Sequence, residues 1–228
     1  MKRQVRGRGE RGWSGMRIAV IGANGAIGRC VVTEALARGH LVTAVVRRPE
    51  EYQGLAISVE RGDVLDPEDV ARVAAGRRAV VSAVGGGDGP GRGRLVEPAA
   101  HALVAGLRSL ADAAPRLLVV GSAGSLTTAS GAPLWDDPSV TPRQFELMRA
   151  HGRALDYLRT VRDLDWTVLS PPQNLLPGER TGTYRSGTDD LLTTPDGLSA
   201  LSLPDLAAAL VDELEHPAHR GERFTCAY

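Results

Sequence analysis

Apolar residues fall in short continuous runs along most of the chain, and each run gives way to a stretch where they recur every three to four positions. Arg17 to Ile21 is the first run. It ends at Gly22, and from Ala26 to Arg38 the spacing is helical, with Ile27, Val31, Ala35 and Ala37 on the packing side. Gly39 stops that helix, and Leu41 to Val46, dominated by β-branched residues, predicts a second buried strand. A weaker third strand at Ile57 to Val59 follows, then a helix from Pro67 to Ala75 whose proline suits a first turn, and a fourth strand at Ala79 to Val84. Next come a long helix over Leu95 to Ala113, a fifth strand at Arg116 to Val120, a helix over Pro142 to Val161 and a sixth strand at Trp166 to Leu169. Thr127 to Pro142 carries three prolines and no period, so it reads as a loop. After Ser170-Pro171-Pro172, short polar strands around Thr183 and Leu198 are expected to form a small lobe or hairpin, before a last helix from Pro204 to Glu215 and a final strand at Arg223 to Ala227. Apolar strands alternating with helices of about 10 to 20 residues call for an α/β fold, a doubly wound and mostly parallel sheet with helices on both faces.

The first strand, turn and helix enclose Gly22-Ala23-Asn24-Gly25-Ala26-Ile27-Gly28, the spacing GxxGxxG. In that context the first glycine permits the turn, the second lets backbone approach a pyrophosphate, and Gly28 lets helix and strand pack closely, which makes the fold Rossmann-like and the ligand a dinucleotide. Amides at the helix start then face the phosphate charge. An acid beyond the second strand would hold a ribose 2′-hydroxyl, but this strand runs into Arg47-Arg48, and a guanidinium pairs with a 2′-phosphate instead. NADP(H) is therefore preferred, with NAD(H) the alternative. Ligands of open sheets bind at the carboxyl ends of strands. Gly62-Asp63-Val64 is thus assigned beside the adenine, Ser82-Ala83-Val84-Gly85 under the adenosine and diphosphate, Ser122 and Ser125 near the nicotinamide, and Pro171-Pro172 at the pocket wall.

Composition narrows the remaining classes. At 228 residues, 43% of them hydrophobic, the chain is long enough for one cored domain. Met1 to Gly15 holds Lys2, Arg3, Arg6, Arg8 and Arg11 against Glu10, and reads either as a disordered basic leader or as an over-long start before Met16; residues 16–228 form the domain. Without that segment the body is mildly acidic, which offers no specific nucleic-acid footprint. No run reaches the roughly 20 apolar residues of a membrane span and no signal peptide is evident, so a cytoplasmic location and no membrane partner are expected, as monomer or homodimer. Cys30 and Cys226 read as small buried apolar residues, His216 and His219 lack a third metal ligand, and His40 and His101 have no metal context. The glycine-rich stretch Gly85 to Gly93, with Arg92 and Arg94, reads as a connection beside the cofactor, a second phosphate contact or a lid.

Several blocks carry a resemblance: Ile18 to Gly28, Arg47, Arg61-Gly62-Asp63-Val64, Val81 to Gly85, Leu118 to Leu126 and Asp165 to Pro171. Over Met16 to Tyr228 the chain resembles the atypical short-chain dehydrogenase/reductase proteins, in particular the small NAD(P)H-binding group that holds proteins provisionally named NADH-flavin reductases, biliverdin reductase B-like flavin reductases and NmrA-like proteins. The resemblance implies an extended NAD(P)(H) groove and a substrate side shaped by residues after the sixth strand. Family glycine motifs usually have threonine where this chain has Asn24. Conventional members use a tyrosine with a lysine four residues later; here Phe145 and Arg149 stand at those places, and Lys2 is the only lysine. Carbonyl reduction through that pair is disfavoured. The leading expectation is direct hydride transfer from NAD(P)H to a small conjugated acceptor, a flavin or quinone, with Ser122 and Ser125 orienting the rings and Trp135, Phe145, Pro172 and Tyr184 as the apolar wall. A non-catalytic NADP(H) sensor or scaffold is the second reading. A tailoring isomerase, dehydratase or cyclase, using His151, Asp136, Asp137 or Tyr184, is the third.

Overall fold

A computed structural model describes residues 15–85 and 92–228. Its centre is an eight-stranded sheet. The first six parallel strands are β1 (Arg17–Ile21), β2 (Leu41–Val46), β3 (Ser58–Arg61), β4 (Ala79–Ser82), β5 (Arg116–Val120) and β6 (Trp166–Ser170), joined by β10 (Glu222–Ala227) and β8 (Arg185–Gly187) in the order β3-β2-β1-β4-β5-β6-β10-β8. Only β8 runs antiparallel, against β10. The order reverses direction between β1 and β4, which opens a crevice above their carboxyl ends.

Five helices cover the sheet. Helices α1 (Ala26–Ala37) and α5 (Leu203–Glu215) pack on one face over Ile18, Val20, Leu118 and Phe224. On the other face α2 (Pro67–Ala74), α3 (Val96–Arg108) and α4 (Pro142–Thr160) bury Ala19, Val80, Leu117 and Trp166. Such two-sided burial is why the central strands carry no alternation of polar and apolar residues. Asp66, Thr141 and Ser202 cap α2, α4 and α5 with their own side chains, Thr141 in a reciprocal box with Gln144. Helix α1 has no side-chain cap and no acid in its first turn.

Several boundaries and one element differ from expectation, the fourth strand ending at Ser82 rather than Val84. The third strand is shifted to Ser58–Arg61, because an edge strand is held by its backbone ladder to β2 and Glu60 and Arg61 need not be buried. The third helix ends at Arg108, with a separate short turn at Ala111–Ala113, where the Ser109 hydroxyl bonds the Gly106 carbonyl. The polar strands after β6 make no hairpin. Instead β8 extends the main sheet, while β7 (Asn174–Leu176) and β9 (Ala200–Ser202) form a separate parallel pair whose Leu175 and Leu201 pack onto the α1–α5 core. Within Gly85 to Gly93, residues 86–91 lie outside those described. Among the described residues no helix is long and apolar enough to cross a membrane.

Candidate functional site

The glycine turn is built by close backbone contacts. Gly22 adopts φ +84°, a conformation that L side chains rarely take, and a Cβ there would lie 2.9 Å from the Ala83 carbonyl oxygen at the end of β4. A Cβ on Gly28 would lie 2.2 Å from the Gly22 oxygen, so α1 meets the turn at a distance only glycine allows. Gly25 and Ala26 are exposed, and the first i→i−4 bond of the helix runs from the Arg29 amide to the Gly25 carbonyl. The amides of Ala26, Ile27 and Gly28 therefore have no helical acceptor, and no side chain of the helix supplies one. Free amides at a positive helix end, reached over bare backbone, are the donor set a diphosphate needs.

This turn forms one side of a groove of about 380 Å³ across the carboxyl ends of β1, β2, β3 and β4. Of the residues assigned to the cofactor, Gly22, Asn24 and Gly25 line it from the turn, Arg47 and Arg48 from β2, Asp63 and Val64 after β3, and Ala83, Val84 and Gly85 after β4. Leu65, Leu95 and Glu51 also border it, Glu51 from the short turn after β2, Leu65 from the segment after β3 and Leu95 from the short turn before α3; no local pattern in the sequence marks them.

Other assigned residues have different partners. Ile27 packs into the α1–α5 core and Ser82 is buried within β4. The Asn24 amide donates to the Glu51 carbonyl (3.3 Å) and its oxygen accepts from the Gln53 amide (3.4 Å), tying the turn to the segment after β2. Arg48 is paired with Glu51 at 2.6 Å. Ser122 and Pro171 follow β5 and β6 without lining the groove; the Ser122 hydroxyl accepts from the Gly124 amide (3.1 Å) and keeps its own proton to donate. Ser125 accepts instead from Arg223, 98 residues along the chain (2.7 Å), which fastens the loop after β5 to β10.

The expected apolar wall is not brought together. The Tyr184 hydroxyl donates to Asp212, which also pairs with Arg38 just past the last residue of α1, at the helix end remote from the glycine turn. Burial and that bond raise its pKa, so it is no acid for the groove. Trp135 lies against Gly152 with the Arg149 guanidinium 4.6 Å above its ring, Phe145 is exposed on the first turns of α4, and Pro172 is buried next to β6. Asp136 is exposed, and Asp137 closes a turn by accepting from the Ser139 amide and hydroxyl, contacts that lower its pKa. His219 bonds Glu213 and His40 bonds Glu215, while His101 stacks on Tyr157. No group of three metal ligands occurs among the described residues. Cys226 is buried as expected, while Cys30 is only partly so.

His151 sits on the core-facing stripe of α4 with Ala154, Leu155 and Leu158, beside a small cavity of about 20 Å³ that Ser82, Val84 and Gly121 also line. Burial pulls its pKa down to about 4 from the usual 6.5, so the imidazole is neutral at pH 7. Between pH 6.5 and 4 the unfolded chain takes up a proton that the folded chain refuses, and stability falls with pH across that window by no more than about 3 kcal/mol. Urea melts of His151→Leu should lose this slope; a slope retained in the variant would show that another group carries it.

The NAD(P)H-binding family matches residues 22–217, which spans turn, groove and both helical layers. The chain belongs to this family. Over 215 residues it is 38% identical to the Bacillus subtilis protein YwnB, covering 92% of this chain and 97% of that one. A solved structure from Bacteroides thetaiotaomicron, provisionally named an epimerase, is 38% identical with a TM-score of 0.84, covering 93% of this chain and 97% of the other. Another from Streptococcus pneumoniae, provisionally named an NADH-flavin reductase, is 36% identical with a TM-score of 0.81, covering 93% and 99%. The resemblance to the small NAD(P)H-binding group, with its proteins provisionally named NADH-flavin reductases, holds at both levels, sequence and fold. As a family member the chain takes a nicotinamide dinucleotide, and its uncapped α1 amides fit the diphosphate of one.

Proposed function

We propose that the protein is an NAD(P)H-dependent oxidoreductase that passes a hydride directly to a flat conjugated acceptor such as a flavin or a quinone, with NADP(H) the preferred cofactor. The uncapped amino end of α1 against the glycine turn carries the reading, since it supplies fixed N–H donors for a diphosphate. The reduced nicotinamide, when bound, supplies two electrons and a hydrogen as hydride and leaves oxidised. The chain's own contribution is positional: Ala83, Val84 and Gly85 form the floor, and Ser122 offers its hydroxyl proton at the nicotinamide end. The remaining proton for the acceptor comes from water, so the absence of any Tyr-x-x-x-Lys pair costs this reaction nothing. The S. pneumoniae relative's provisional name is in keeping with this chemistry.

One observation favours a second reading, a cofactor-occupied sensor without turnover: among the described residues lining the groove there is no histidine, cysteine, tyrosine or lysine. A screen of free flavins and quinones, following loss of reduced-nicotinamide absorbance, separates the two. Turnover above the protein-free rate with any acceptor supports the reductase; tight nucleotide binding with every acceptor at background supports the sensor.

A further inference from the structure

Four guanidinium groups gather at the carboxyl ends of β2 and β3, and they fall into two kinds. Arg48 is neutralised by Glu51 at 2.6 Å, and Arg72 by Asp69, while Arg72 also donates to the Arg61 carbonyl (2.7 Å). The second Asp69 oxygen accepts from the Asp63 amide (2.9 Å), and an Asp63 oxygen accepts from the Leu65 amide (3.0 Å). Both carboxylates are thus committed within the turn they shape. The side chains of Arg47 and Arg61 make no hydrogen bond and no ion pair among the described residues.

These two unpaired cations are neighbours by register. Val46 stands opposite Arg61 in the parallel β2–β3 ladder, so Arg47 leaves its strand beside the residue that ends the next one. Together with Arg48, Asp63 and Asp69 they border an open recess of about 320 Å³, and Arg47, Arg48 and Asp63 also line the dinucleotide groove. Two like charges held side by side repel unless an anion lies between them. A phosphate monoester brings close to two negative charges at pH 7 and three acceptor oxygens, and one guanidinium leaves it under-neutralised. Guanidinium pairs bidentately with such oxygens and stays protonated at any working pH.

We propose that Arg61 is the second arm of a two-arginine grip on the 2′-phosphate of NADP(H), and that Arg47 with Arg61, rather than Arg47 with Arg48, sets the choice against NAD(H). This rests on the reading that the groove prefers the phosphorylated dinucleotide. Neighbouring strand ends hold the two residues' backbones side by side, so both forks can reach one phosphate, whereas Arg48 would have to abandon Glu51 to join them.

Dissociation constants for NADPH, NADH, 2′-phospho-ADP-ribose and ADP-ribose, measured by calorimetry on the full chain, test it. Arg61→Ala should weaken NADPH and 2′-phospho-ADP-ribose roughly ten-fold, the loss of one charged hydrogen-bonding arm, and leave NADH and ADP-ribose within about two-fold. Unchanged NADH binding also shows that the variant is folded. Arg61→Lys should recover part of the loss, Arg61→Glu should deepen it to about a hundred-fold, and Arg48→Ala should shift both ligand pairs little. If Arg61→Ala leaves the NADPH-to-NADH ratio alone while Arg47→Ala abolishes it, the second arm is overturned and a one-arginine preference stands. If the unmodified protein binds both dinucleotides equally, the preference itself fails, and the grip with it.

Discussion

Gly28→Ala should cost at least about a hundred-fold in dinucleotide affinity and lower the melting temperature as well. A single methyl group is enough because the atoms it would meet are all backbone: the Gly22 oxygen at 2.2 Å, the Gly22 carbonyl carbon at 2.8 Å and the Ala23 Cα at 2.9 Å. None can rotate away, so the amino end of α1 must lift from β1 by an ångström or more. Overpacking of this kind costs about 1–3 kcal/mol of stability. Amides displaced by that distance leave hydrogen-bonding range of the phosphates, and losing two charge-assisted bonds weakens binding by a further 3 kcal/mol or so. Gly25→Ala separates the two costs: its Cβ would come to 3.2 Å of the same oxygen, a contact that yields within a few tenths of an ångström, so its melting temperature should stay closer to that of the wild type while the methyl group in the path of the diphosphate lowers affinity. Calorimetric binding of NADPH to both variants, with melts recorded with and without nucleotide, checks the order. Normal affinity in Gly28→Ala would mean that the diphosphate is not held at this turn.

What the sequence reveals about the site depends on how local each feature is. The strand, turn and helix around Gly22 to Gly28 can be read directly, since the change of apolar period and the glycine spacing lie within one short window. The same holds for Arg47, which follows its strand without interruption. Arg61 is visible as a residue but not as a partner of Arg47, because their proximity is set by the β2–β3 register and the apolar run ends at Val59. Ser125 and Tyr184 were assigned to the substrate side on the expectation that polar and aromatic groups near strand ends face the ligand. Their actual partners, Arg223 and Asp212, lie 98 and 28 residues further along, beyond the reach of any periodicity. The strands near Thr183 and Leu198 were misplaced for a related reason: three-residue strands carry too few side chains to show alternation, and their pairing is decided by β10 and by one another.

Glu213→Gln should remove up to about 3–5 kcal/mol of stability. The carboxylate is buried near the end of α5, where it accepts from Arg116, from the His219 ring (2.8 Å) and from the amides of His219 (3.0 Å) and Ala218 (3.1 Å). Arg116 in turn reaches the Glu213 carbonyl (2.6 Å) and the Thr167 hydroxyl (2.8 Å), so one buried ion pair joins α5, β5, β6 and the turn leading into β10. Burial alone would favour the neutral acid. The hydrogen bonds from His219, Arg116 and Ala218 outweigh it and hold the pKa below the usual 4.5. A carboxylate with a depressed folded pKa gives its stabilisation in full above the unfolded value and loses it as pH falls through the folded one. The wild type should therefore weaken from about pH 4.5 downward, below most of the window assigned to His151, and Glu213→Gln should lack that further loss because its amide cannot titrate. Glutamine keeps the shape but not the charge, leaving the buried Arg116 with Asp165, 3.4 Å from its Nε, as its remaining counter-charge. Replacing both members, Arg116→Met with Glu213→Leu, should restore most of what the single change removes, since two apolar groups need no partner. Urea unfolding of the single and double variants at pH 7 and pH 4 decides the matter: a Glu213→Gln protein within about 1 kcal/mol of the wild type at pH 7 would show that the pair contributes specificity rather than stability.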